Sequence, residues 1–269
     1  MHYFKEARMS TLPTLFVSHG APTLAIVDSP ASRFLRELGK TLPRPKAILV
    51  ASAHWESQSG PAVSLATKPE TIHDFGGFPA ALFAIQYPAP GAPEVAARAA
   101  SLLSQAGIAT AQSPTRGLDH GAWVPLHLMY PDADIPVAQI SIVRGASPAE
   151  HERIGRALAK LREEGVLIIG SGSLTHNLYE FRGQPIDVPA PEWVSSFGDW
   201  MKARLDASDL QALREYRSRV PNAERNHPTD EHLMPLYVAM GAAGDNAKAE
   251  RLHASYEYGI LAMDVYAFT

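Results

Sequence analysis

The chain of 269 residues contains no cysteine. Disulfides, thiolate nucleophiles and cysteine-bearing metal sites are therefore excluded, and any metal must be held by His, Asp or Glu. No apolar run approaches the roughly 20 residues needed to span a bilayer. The opening "MHYFKEARMS" lacks the apolar stretch of a secretory signal. A large charge of one sign is missing too. A formal net charge of -4 gives no electrostatic case for nucleic acid or for an acidic membrane surface. The H-E-x-x-H zinc signature and the phosphate-binding G-x-x-x-x-G-K-[ST] loop are both absent. "GSGSL" does not match the G-x-S-x-G nucleophile elbow, because Leu174 stands in place of the closing glycine. The expectation is a cytoplasmic protein, monomeric or a small homo-oligomer, with no nucleic-acid or membrane partner.

What is present is ordinary globular composition, 46% hydrophobic and 19% charged. Short apolar runs alternate with helical patterns. Strand candidates are Thr14–Ser18, Ala47–Ala53, Ala62–Ala66, Ile108–Ala111, Val137–Ile142 and Val166–Ile169. The clearest helix follows Ser147, which with Glu150 completes a capping box, with Pro148 at the first helical position. It carries an apolar stripe of Ile154, Leu158 and Leu161, puts His151 on its polar face, and ends at Gly165. Further helices are expected over Ala31–Leu38, Pro93–Gln105, Glu192–Arg204, Ser208–Arg217 and Glu231–Ala242, and one after Asp119 and His120. The runs around Gly259 read as an antiparallel pair at the sheet edge. This alternation predicts an α/β fold: one domain, residues 12–269, with a central mixed sheet and helices on both faces. Residues 1–11 read as a flexible extension, with Met9 a candidate alternative start.

Of the 11 histidines, three share one context. His19 follows "TLFVS", His54 follows "AILVASA", and His176 follows "VLIIGSGSLT". In an open α/β sheet, ligands bind at the carboxyl ends of the strands, so the three can converge on one crevice. A lone histidine after a strand is ordinary; a cluster points to a metal, a proton relay or both. His120 lies beside Asp119 at a helix start, and His232 is placed one position into a helix. His227, before a proline, reads as exposed, and His127 as a core or helix-surface residue. His2, His151 and His253 have no supporting context. In "TIHDFGGFP", His73 and Phe75 sit in a glycine-bearing loop suited to approaching a ligand or simply to turning the chain.

Together, "SHGAP", "SAHWE", "TIHDFGGFP", "LDHGAWVPLHLMYPDADIPVAQISI", "GSGSLTHNL" and "PTDEHLMPLYVAMGA" resemble the 4,5-DOPA extradiol dioxygenase family. That family is a branch of the class III extradiol ring-cleavage dioxygenases, related to the catalytic subunit of protocatechuate 4,5-dioxygenase. The likeness runs in order from about Leu12 to the C-terminus. It implies a non-haem Fe(II) enzyme that opens a small aromatic diol with O2. By match to the family's motifs, His19, His54 and His232 look like the metal ligands. His176 looks like the acid/base residue, and His120 like a histidine facing dioxygen and substrate. The protocatechuate branch completes its site with a glutamate, and "DEH" offers Glu231 beside His232. A three-histidine site also suits zinc, so the purified protein can carry Zn(II). Trp55, Phe75, Phe78 and Trp123 are candidates for aromatic walls or for core, with His73 beside them. Two other classes stay open: a zinc hydrolase using a metal-bound hydroxide, and a metal-binding protein without turnover on the same fold.

Overall fold

Four apolar runs make the centre of the sheet: β1 (Thr14–Ser18), β2 (Ala47–Ser57), β5 (Val137–Val143) and β6 (Val166–Gly172). They lie parallel in the order β5-β2-β6-β1. Short strands extend both sides. β3 (Ala62–Ser64) pairs antiparallel with β5, and β4 (Ala111–Ser113) parallel with β3. On the far side, β10 (Val265–Phe268) runs antiparallel to β1, and β7 (Ala249–His253) to β10. The computed structural model describes residues 11–269. The expected extension, apart from Thr11, the Met9 start and His2 therefore lie outside the described residues.

Successive side chains of a strand face opposite sides, so each central strand serves two layers. Leu15, Val17, Ile48, Val50, Leu167 and Ile169 pack with helices Pro30–Thr41 and His120–Met129. Their neighbours Phe16, Leu49, Ala51, Ile140 and Ile168 pack on the other face with helices Pro93–Gln105, Pro148–Leu158, Glu192–Asp206 and Met234–Ala243. Each fully buried aliphatic side chain contributes roughly 1.5–3 kcal/mol. The expected α/β domain with helices on both faces is thus the observed one. Both bonds of the Ser147–Glu150 capping box are present.

Several boundaries differ from expectation, each for a local reason. β2 continues past Ala53 to Ser57, so His54 lies inside a strand. Pairing with β5 jumps from Ser52↔Ser141 to Glu56↔Ile142, so Ala53, His54 and Trp55 form a bulge. Ile108 is not strand. Its N–H bonds Leu103 O at 2.9 Å and the Gly107 N–H bonds Ser104 O at 3.0 Å, closing helix Pro93–Gln105 with a Schellman motif. The helix expected to reach Gly165 breaks at Ala159, and the one expected over Ser208–Arg217 splits into Leu210–Arg214 and Tyr216–Arg219. The helix expected from Glu231 begins at Met234, so His232 occupies the turn before it. The pair around Gly259, β8 (Tyr256–Glu257) with β9 (Leu261–Ala262), is a separate two-stranded sheet. β7 and β10 supply the antiparallel edge instead. His151 and His227 are both fully buried, against the expectation of exposure. His151 accepts the Val143 N–H and donates to Ser147 O. His227 donates from Nε2 to Leu174 O.

Candidate metal centre

The end of β6 fixes two of the candidate ligands at once. Gly172 O accepts the His19 N–H at 2.9 Å, and the Ser173 N–H bonds His232 O at 2.8 Å. A Cβ on Gly172 would stand 2.1 Å from that same His232 carbonyl, so only glycine lets the His232 turn sit on the strand. His54 comes from the β2 bulge, and its own N–H bonds Ser52 Oγ at 3.2 Å. Ser52 in turn donates to the fully buried Asp119 at 2.6 Å. Asp119 also accepts from Arg116, Gln139 and the Ala122 N–H, capping the helix that begins at His120. That helix is buried on nearly every side rather than amphipathic. Gly121 lies under the cluster. A side chain there would meet Ser52 Oγ at 2.5 Å, His54 Cδ2 at 3.0 Å and His19 Cε1 at 3.2 Å.

All five histidines expected at the site come together. His54 Nε2 is 3.0 Å from His19 Nε2 and 3.3 Å from His232 Nε2. The His120 ring centroid is 3.9 Å from that of His54. The His176 ring stacks on His232 at 3.5 Å with 7° between planes. One ligand atom each from His19, His54 and His120 falls within a 4.8 Å group, and so does one each from His176, Glu231 and His232. Glu231 sits behind His232, accepting its Nδ1–H at 2.9 Å.

The hydrogen-bond network assigns the tautomers. Ser171 Oγ donates to Gly121 O at 2.5 Å, so at its 3.0 Å contact with His19 Nδ1 it must accept. The His19 proton is therefore on Nδ1, and its Nε2 lone pair faces inward. The same follows for His232, whose Nδ1–H is held by Glu231. Two lone pairs thus converge on His54 Nε2, which carries at most one proton to share between them. A cation relieves this. Two nitrogens about 2.1 Å from one ion are about 3.0 Å apart at a right angle and about 3.4 Å apart at the tetrahedral angle, which is the separation found here. The donor set fits a metal ion.

Electrostatics points the same way. Burial, reinforced by the neighbouring imidazoles, pushes His19 and His232 well below the ordinary histidine range. Burial and His120 lower His54 to about 4, and burial and His227 lower His176 to about 3. Neutral imidazoles are what a metal needs. Burial also raises Asp74, but hydrogen bonds and charge from His120 outweigh it and hold the carboxylate at about 2.

A stability profile follows for the metal-free protein. Burial lowers His227 from 6.5 to about 4. Between those values the unfolded chain binds a proton that the folded chain refuses, so stability falls as pH drops through this window. At pH 5 such a histidine removes on the order of 2 kcal/mol. His54 and His176 act in the same direction. Two buried carboxyls oppose them: Asp264, raised to about 6, and Glu257, also raised, both by burial. Their contribution is lost as pH rises, and the histidines outnumber them. The urea midpoint of metal-free protein is expected to be clearly lower at pH 5 than at pH 7; an unchanged midpoint would contradict the buried-neutral assignment.

The aromatic candidates separate. Phe75 approaches His120 edge-on at 5.6 Å, and His73 packs on Phe75 at 5.7 Å while donating from Nε2 to Ile85 O. Trp123 is fully buried behind this loop, bonded to Ile72 O. Phe78 packs on Phe75. Trp55 lies against the Arg116 guanidinium, which bonds His54 O at 3.2 Å. The sequence places Asp74 in the same candidate loop but gives no sign of its role toward His120. Its Oδ1 accepts from His120 Nδ1 at 2.9 Å and from the His120 N–H at 3.0 Å. Its signal was adjacency to His73 in "TIHDFGGFP"; its partner lies 46 positions away.

Comparison with known proteins identifies relatives of the whole chain. A family model described as the catalytic LigB subunit of aromatic ring-opening dioxygenase matches residues 8–269. The chain is 47% identical over 262 residues to the 4,5-DOPA dioxygenase extradiol of Beta vulgaris, covering 95% of this chain and 96% of that one. It is 42% identical over 243 residues to the protein of the same name from Escherichia coli K12, covering 88% of each. Among solved structures, an uncharacterized protein from Escherichia coli K12 superposes with a TM-score of 0.81 at 35% identity, over 96% of this chain and 100% of that one. No helix among the described residues is long and apolar enough to cross a membrane.

Proposed function

The chain belongs to the LigB family of aromatic ring-opening dioxygenases, and on that premise we propose an Fe(II)-dependent extradiol dioxygenase that opens a small catechol. The reaction breaks the ring bond next to the diol, and both atoms of O2 end in the product. The observation that carries this reading is that His54 Nε2 lies 3.0 Å from His19 Nε2 and 3.3 Å from His232 Nε2, with the His120 and His176 rings beside them. We assign the first three as ligands. Glu231 supports His232 from behind rather than replacing it. When bound, ferrous iron supplies open coordination positions and the redox chemistry that joins dioxygen to an electron-rich ring.

The remaining steps belong to the chain. His176 is neutral at pH 7 and neither ring nitrogen has a hydrogen-bond partner among the described residues. It accepts a catechol proton as base and returns it as acid. With its Nδ1–H fixed on Asp74, His120 presents Nε2 inward. That atom is the one offered to dioxygen and substrate for a hydrogen bond. Phe75 forms a wall for the substrate ring, backed by His73 and Trp123. Trp55 contributes through Arg116, which holds the His54 carbonyl.

Oxygen uptake by anaerobically Fe(II)-loaded protein tests the reading over a panel of catechols headed by DOPA, the substrate in the relatives' names. The expected result is oxygen consumption with a yellow ring-opened product, and none with the zinc-loaded protein. Absence of uptake with every catechol overturns it, and oxygen-independent hydrolysis by the zinc form would favour the hydrolase instead.

A further inference from the structure

The loop that delivers His176 is pinned by a buried histidine with no part in the reaction described so far. His227 is fully buried, against Phe197 and Tyr216. Its Nε2–H donates to Leu174 O at 2.8 Å, while its Nδ1 finds no partner among the described residues. A buried imidazole costs desolvation that an apolar side chain avoids, so its distinctive contribution here is that one bond. The bond joins a set between the same two segments. The His176 N–H donates to Asn226 O at 3.0 Å, and Asn177 Nδ2 donates to Arg225 O at 2.5 Å. The Asn226 side chain is in turn tied to Trp193 O at 2.8 Å. Residues 225–227 therefore act as a clamp on residues 174–177. The His176 ring has no hydrogen bond of its own among the described residues and stacks on His232. Its direction therefore depends on how its loop is held: by this clamp, and by Ser18, Ile260 and Ala262 on Leu174 and Thr175.

We infer that His227 is a positioning residue for His176, fixing the Leu174 carbonyl so that the acid/base ring stays stacked on His232 and aimed at the substrate. This rests on the reading of His176 as the acid/base. A displacement of about 1 Å at such a group costs about 100-fold in rate.

Three substitutions separate the bond from the volume. Gln places its amide nitrogen near the position of Nε2, Asn near that of Nδ1, and Phe keeps the ring without a donor. In H227F and H227N, kcat is expected to fall about tenfold to a hundredfold, with KM and iron content within about twofold of wild type. H227Q is expected to restore most of kcat. The His176 backbone amide, followed by NMR in metal-free protein, should shift in H227F and H227N and return toward wild type in H227Q. Wild-type kcat in all three variants overturns the inference. So does an H227Q as slow as H227F, or an iron content that falls along with kcat. H176A run in parallel distinguishes the two failures: full turnover in H176A rejects the acid/base reading itself, whereas the amide shifts still decide whether His227 holds the loop.

Discussion

The His54→Ala variant is expected to purify without iron and to consume no oxygen. Its Nε2 is the atom that both other candidate ligands face, at 3.0 and 3.3 Å. Removing it takes away the nitrogen that His19 and His232 both face. Loss of a group that merely orients a ligand costs about 10–100-fold in metal affinity, and loss of the central ligand itself costs more. The check is metal content by elemental analysis, together with the melting temperature. A metal that binds only the folded state adds about 4 kcal/mol at a thousand times its dissociation constant. Added metal should therefore raise the melting temperature of wild type and leave that of H54A unmoved. The fold itself should survive, because the bulge is held by Ser52, Arg116 and Asp119 rather than by the imidazole. Full metal occupancy in H54A would rule out the proposed ligand set.

The His176→Ala variant is expected to separate the same two properties. Its iron content should match wild type, because no hydrogen bond that orients His19, His54 or His232 passes through the His176 ring. Its kcat should fall by about 10²–10⁴, the usual worth of a positioned proton-transfer group. The ring is unprotonated well below neutral pH, its value lowered to about 3 by burial and His227. In the proposed reaction it would therefore begin as the proton acceptor. A variant that loses metal and activity together would show His176 to be a structural support for His232. A variant that keeps full turnover would remove it from the mechanism.

Much of this site was legible because sheet chemistry is local. β1 matches the run expected from its apolar residues, and β5 and β6 begin where expected. His19 directly follows β1, and His176 lies in the loop after β6, as expected. The Ser147–Glu150 box capped its helix as the spacing required. What misled was burial. His151 and His227 sit among polar or proline-flanked residues, and nothing local shows that Val143 and Leu174 will cover them with backbone partners. Asp74 was seen in a loop, but its worth depends on His120. Ile108 read as strand because an apolar residue after a glycine can equally end a helix.

The sequence by itself determined the chemistry available. Without cysteine, any metal donors had to be imidazoles and carboxylates, and apolar runs followed by histidine put those imidazoles at the carboxyl edge of the parallel central strands. Only the tertiary structure decided their geometry. The three-residue bulge in β2 turned His54 into the crevice, and the bare Gly172 and Gly121 let His232, His54 and His19 close to within ligand distance. Ser171 and Glu231 then fixed which nitrogens face inward. These are relations between segments up to 178 positions apart. No local pattern encodes them, because pairing offset, close approach and tautomer exist only once the two sides have met.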